Sequence, residues 1–218
     1  VRRIDKSKIP STDYKKWEKE LESKNRIHPK YSANHRFYLD VIMSLYSCQD
    51  GLCAYTERRI CEVKDYKVSC WNLHKFTGGK PKHYGELDHF DASLKVEKGW
   101  LWSNFFMVDG RVNRLKSEKS IGDILKPDLS SYDPFEIFEY DFETHMYIAN
   151  TNKFDEKKQD EINEMIFELG LNYVVGPRSR YLNEKVQLIE DFGIETWDTI
   201  KIDEYPTAFA FIRAERSK

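Results

Sequence analysis

The chain has 218 residues, 40% of them hydrophobic, 33% charged and 14% aromatic, which excludes a disordered chain and suits one large domain or a core with an appended lobe. Thirty-five lysines and arginines against 37 aspartates and glutamates leave a net charge of −2, which speaks against autonomous nucleic-acid binding through bulk positive charge. No apolar run approaches membrane-spanning length and no signal peptide is recognisable, so a cytoplasmic protein with reduced thiols and no membrane partner is expected.

Ser11-Thr12-Asp13 ahead of Tyr14 reads as a helix start, with Ser11 or Thr12 as cap and Trp17 and Leu21 on a docking face. Asn34-His35-Arg36 opens a second helix. Its Tyr38, Val41, Ile42 and Leu45 make an apolar stripe that Asp50-Gly51 ends. Leu52 to Tyr55 has strand character. The cysteines at 48, 53, 61 and 70 show no paired C-x-x-C, because Thr56 stands where a second cysteine would follow Cys53. A structural zinc ion is therefore not expected, and Cys53 reads as buried filler. Thr77-Gly78-Gly79-Lys80-Pro81 is a loop; it lacks the full spacing of a phosphate loop and no helix follows it directly.

Next comes a strand carrying Asp88-His89. From Gly99 onward a second strand is expected, with Trp102, Asn104 and Phe106 on one side, then a turn at Asp109-Gly110. Arg111 to about Lys119 reads as a short helix that presents Asn113, Lys116 and Ser117 on one face. These residues have a shared chemistry. Asp88 is a hard oxygen ligand, and Asn113 offers a neutral oxygen. His89 carries an imidazole that takes a proton near neutrality, and Asn104 is able to hold that ring in one tautomer. Lys95, Lys98, Arg111, Arg114, Lys116 and Lys119, with Arg58 and Arg59, are candidates for phosphate contacts. Arg111, Arg114 and Lys116 are the foremost of these for nucleic-acid binding. Glu86, two residues before Asp88, is either an outer carboxylate of the site or a surface residue.

Beyond residue 120 the pattern changes. Glu136 to Tyr140 and His145 to Ala149 read as two strands, and Asp155 to Leu169 as a helix stopped by Gly170. Pro177 opens another helix that runs to Gly193. Thr207 to Ile212 is compatible with helix or strand. The division expected is a helical segment 1–50, a core 51–120 and a C-terminal lobe 121–218 packed on the core, with apolar stripes that serve core or partner surface.

An Asp-His pair, an Asn in a Trp-x-Asn context and an Asn-x-x-Lys helix resemble the HNH, or ββα-metal, nucleases. Val1 to Pro10, Gly51 to Tyr55, Asp133-Pro134-Phe135 and Leu169 to Asn172 with Arg180 look more narrowly like the retron- and Septu-associated HNH nucleases of bacterial anti-phage operons. The resemblance implies an α+β fold with a ββα-metal core, surrounding helices and a C-terminal α/β lobe. It implies Asp88 and Asn113 as ligands of one divalent cation, Mg²⁺ or Mn²⁺, with His89 as general base and Asn104 as its orienter. It also implies DNA as substrate, an ATPase partner subunit and a role in antiviral defence. Two alternatives stand beside it: a stand-alone restriction-type endonuclease, and a non-catalytic adaptor that retains the scaffold.

Overall fold

The structure is a computed structural model that describes every residue except 8, 73, 80, 81, 83, 120, 194–196 and 218. Lys80 and Pro81 of the expected loop lie outside the described residues. The fold is mixed α+β: α-helices surround two separate two-stranded antiparallel sheets. Among the described residues, no helix is long and apolar enough to cross a membrane.

Helix α1 (Thr12–Ser23) is capped by the Ser11 hydroxyl, which accepts from the Tyr14 N–H. It buries Tyr14, Glu18 and Leu21. Helix α2 (Tyr38–Cys48) starts four residues later than Asn34, because residues 32–35 close a turn of their own through His35 N–H to Ser32 O. Leu52 to Tyr55 forms no strand: a single bridge joins Leu52 to Arg59, and the Ala54 N–H docks on Met107 O. A short helix, α3 (Val63–Tyr66), follows.

Strand β1 (Gly85–His89) pairs with β2 (Phe105–Asp109), setting Asp88 opposite Phe106 and His89 opposite Phe105. The second strand starts later than Gly99. Trp102–Asn104 is a 3-10 turn closed by the Phe105 N–H on Trp102 O, so Trp102, Asn104 and Phe106 do not share a strand face. The outward rungs of β2 are occupied. Phe105 O accepts Lys6 Nζ, the Gln49 amide bonds both N–H and C=O of Met107, and the Asp109 N–H meets Cys53 Sγ. Helix α4 (Gly110–Lys116) follows β2 at once, with Asp109 as its cap. It ends at Ser117, whose φ of 52° takes the chain out of the helix before Lys119.

In the C-terminal half, α5 (Pro134–Ile137) occupies the start of the expected strand, and β3 (Phe138–Asp141) pairs with β4 (Met146–Ala149). Helix α6 (Glu156–Glu168) packs on β4. Gly170, at φ 62°, turns the chain out of α6, and a Cβ placed there would meet Val112 of α4 at 3.5 Å. Helices α7 (Val175–Phe192) and α8 (Pro206–Arg216) complete the fold, with Thr207 to Ile212 inside α8. Pro177 lies in the first turn of α7, two residues after its start. Buried hydrophobics form one cluster from Val1 to Ile212. Hydrogen bonds cross both expected boundaries: Gln49 to Met107, Ile4 to Pro127, and Glu57 to Tyr205 and Thr207.

Candidate active site

The end of β1 and the single face of α4 meet through a buried lysine. Lys116 Nζ lies 3.1 Å from Asp88 Oδ1 and 2.8 Å from the His89 carbonyl oxygen. Both Lys116 and Asp88 are buried, Lys116 with 0% of its surface exposed. An ammonium withdrawn from water needs such partners, and these fix the helix against the strand. Asn113, one turn earlier on α4, is thereby carried to the same cleft as Asp88 and His89. That cleft has a volume of about 310 Å³, and Leu87, Lys95, Arg114 and Ser117 help to line it.

Asp88 is held from a second direction. The Tyr55 hydroxyl donates to Asp88 Oδ2 at 2.6 Å. Burial, and then the Asp88 charge, raise the Tyr55 pKa well above the ordinary tyrosine value, so the phenol keeps its proton and remains a donor. No residue spacing pointed to Tyr55, which lies on an irregular segment distant in sequence. Asn113 Nδ2 donates to Glu86 Oε2 at 3.0 Å, while Glu86 Oε1 pairs with Arg114. Glu86 thus touches Asn113 while its own side chain stays exposed, so both readings of it are met. It leaves the Asn113 carbonyl oxygen as the amide's acceptor.

His89 packs edge-on against Tyr31 and Phe105, with ring centroids 4.9 and 5.0 Å apart. Its Nε2 donates to the Gly99 carbonyl oxygen at 3.1 Å. The neutral ring therefore carries its proton on Nε2 and leaves Nδ1 as a lone-pair base. Burial lowers the His89 pKa, and the Gly99 carbonyl opposes that shift only in part.

Two sequence expectations are corrected here. Asn104 does not orient His89 by a hydrogen bond. Its amide bonds both backbone groups of Asp91, Oδ1 accepting at 2.8 Å and Nδ2 donating at 2.9 Å, so it clamps the chain just past β1. Lys116 does not face a phosphate: its ammonium is buried on Asp88. Arg111 and Arg114 are exposed on α4, and they line a second cleft with Arg58, Arg59, Tyr84, Glu86 and Asp109. Arg114 borders both clefts.

Among the described residues, no group of three or more His, Cys, Asp or Glu side chains is placed to hold a metal ion. The residues nevertheless fit a hard cation with few protein ligands. Asp88 retains lone pairs beyond its two hydrogen bonds, and Asn113, whose amide carries a neutral carbonyl oxygen, lines the same cleft.

Fold and cleft together define a mixed α+β protein in which a buried carboxylate, an internal ammonium and an oriented imidazole gather at one strand end. Neither a family model nor a curated protein matches the chain.

Proposed function

We propose that the protein is a metal-dependent endonuclease with an HNH-type strand-strand-helix core, hydrolysing phosphodiester bonds in DNA. The observation that carries this reading is the gathering of Asp88, His89 and Asn113 on one cleft, with His89 Nε2 tied to Gly99 and Nδ1 left as base. His89 takes the proton of a water that attacks phosphorus, the opposite P–O ester bond breaks, and the leaving sugar oxygen takes up a proton from solvent. Asp88 and Asn113 are the residues that would hold a divalent ion. When bound, such an ion supplies positive charge to the phosphate oxygens as negative charge builds there. Arg114, on the border of both clefts, with Arg58 and Arg111 beyond it, offers a local basic track on a chain whose net charge is −2. A partner ATPase and an anti-phage role belong to the same reading through the sequence resemblance.

The test is cleavage of supercoiled plasmid with Mg²⁺ or Mn²⁺, with and without the partner. His89→Ala is expected to lower the rate by about 10²–10⁴-fold, the usual share of a general base. Cutting by that variant at the parent rate overturns the assignment. One observation favours the second reading, a non-catalytic binding subunit: an internal ammonium already sits on Asp88. That reading predicts DNA binding with no cleavage under any metal or partner condition.

A further inference from the structure

The Gly99 carbonyl that fixes His89 belongs to a peptide whose other end is also held. The Trp100 N–H of the same peptide donates to His28 Nδ1 at 3.1 Å. His28 Nε2 in turn donates to Glu22 Oε1 at 2.7 Å, and Lys98 Nζ donates to that same oxygen at 2.8 Å. The His28 side chain is fully buried, and Glu22, at the end of α1, is part-exposed. The His28 N–H bonds Glu97 O at 2.9 Å, which ties the two loops together along their length. Gly99 itself is required, since a Cβ there would lie 2.6 Å from Lys95 O.

Donor and acceptor identities run through this chain with no free choice. A carboxylate only accepts, so His28 must carry its proton on Nε2. Its Nδ1 is then an acceptor, and it takes the one donor that the 99–100 peptide offers. With that peptide plane set, its carbonyl faces His89, and a carbonyl also only accepts. His89 must therefore place its proton on Nε2. The protonation site of one imidazole is read across a backbone amide from another.

We infer that Glu22 and His28 are positioning residues for His89, selecting through the Gly99–Trp100 peptide the tautomer that leaves Nδ1 unprotonated. Neither residue touches the cleft. The effect on rate rests on the reading of His89 as base; the tautomer assignment does not.

The test has two arms. In the metal-free protein, ¹⁵N spectra of the histidine rings report the tautomers of His28 and His89 directly. Wild type is expected to show both rings protonated on Nε2. Glu22→Ala removes the acceptor that holds the His28 proton on Nε2, and is expected to add an Nδ1-protonated population to His28 and, as the Gly99–Trp100 peptide turns with it, to His89. His28→Phe is expected to release His89 in the same way. In the cleavage arm, His28→Phe should lower kcat about 10–100-fold, the usual range for an outer partner of a site histidine. KM should stay within about twofold, because such a partner acts on the chemical step and not on substrate binding. His28→Asn, whose Oδ1 sits where Nδ1 accepted, should recover most of kcat. A wild-type His89 protonated on Nδ1, or unchanged tautomers in Glu22→Ala, overturns the inference. If the tautomers fail while His89→Ala is inactive, only the relay falls. If the tautomers hold while His89→Ala cuts normally, only the nuclease reading falls.

Discussion

Lys116 shows how far burial changes the meaning of a residue. In sequence it is a lysine one turn after Asn113, an apparent phosphate contact. In the fold its ammonium is sealed against Asp88 and the His89 carbonyl. Removing one member of such a pair strands a buried charge, so Lys116→Met is expected to cost about 3–5 kcal/mol in denaturant unfolding. Asp88→Asn combined with Lys116→Met should recover a large part of that loss. A single-variant cost below about 1 kcal/mol would show that the pair does not hold α4 to β1. Asp88, His89 and Asn113 were legible as a group because each lies on, or ends, a short element whose period is visible in the sequence. The contacts of Tyr55 with Asp88 and of Glu22 and His28 with the Gly99–Trp100 loop were not, because they join segments far apart in sequence that no local periodicity links. Asn104 bonds a peptide in place of the expected imidazole for a related reason. An amide that matches an imidazole on paper also matches a peptide, and Asp91 offers both halves of one.

Among the elements, the strong amphipathic helices lie close to the bounds that their periodicity gives, whereas α8 and the start of β3 do not follow from pattern. Short apolar segments fit strand and helix alike until tertiary contacts decide. The β3–β4 hairpin carries a titratable lock. His145, at φ 57° in its turn, shares a 2.8 Å hydrogen bond with the Tyr140 hydroxyl. Its backbone oxygen accepts two bonds from the buried Arg178 of α7. Burial, and then the Arg178 guanidinium, lower the His145 pKa below its ordinary 6.5. The folded state thus favours the neutral ring, and the unfolded chain takes up the proton first as pH falls. The stability from this group is complete above pH 6.5 and is lost as pH drops through that value toward the folded pKa. Urea unfolding at neutral and mildly acidic pH should show a smaller acid loss in His145→Gln than in wild type. Equal losses would remove His145 from the account.

At the scale of the molecule, a net charge of −2 conceals a strongly uneven surface. Among the described residues that line the second cleft, four are arginines, Arg58, Arg59, Arg111 and Arg114, and two are acidic, Glu86 and Asp109. Composition shows the sum and hides the placement, because the four come from two segments far apart in sequence. The division into three segments was drawn from changes of pattern along the chain. Across it, α4, which carries Asn113 and Lys116, is backed by Gly170 of the C-terminal part, and Glu57 binds Thr207 through both carboxylate oxygens.

The way Gln49 and its neighbours occupy the outward rungs of β2 bears on how copies of this chain meet in solution. A two-stranded ribbon has an outward edge on each strand, and an edge left open is a template on which a second chain can add and propagate. Here a side-chain amide imitates the missing strand. Gln49→Leu would strip that imitation from Met107, and concentration-dependent self-association, followed by light scattering, is expected to rise. A variant that stays as monodisperse as its parent would mean that the ribbon's solubility is secured elsewhere.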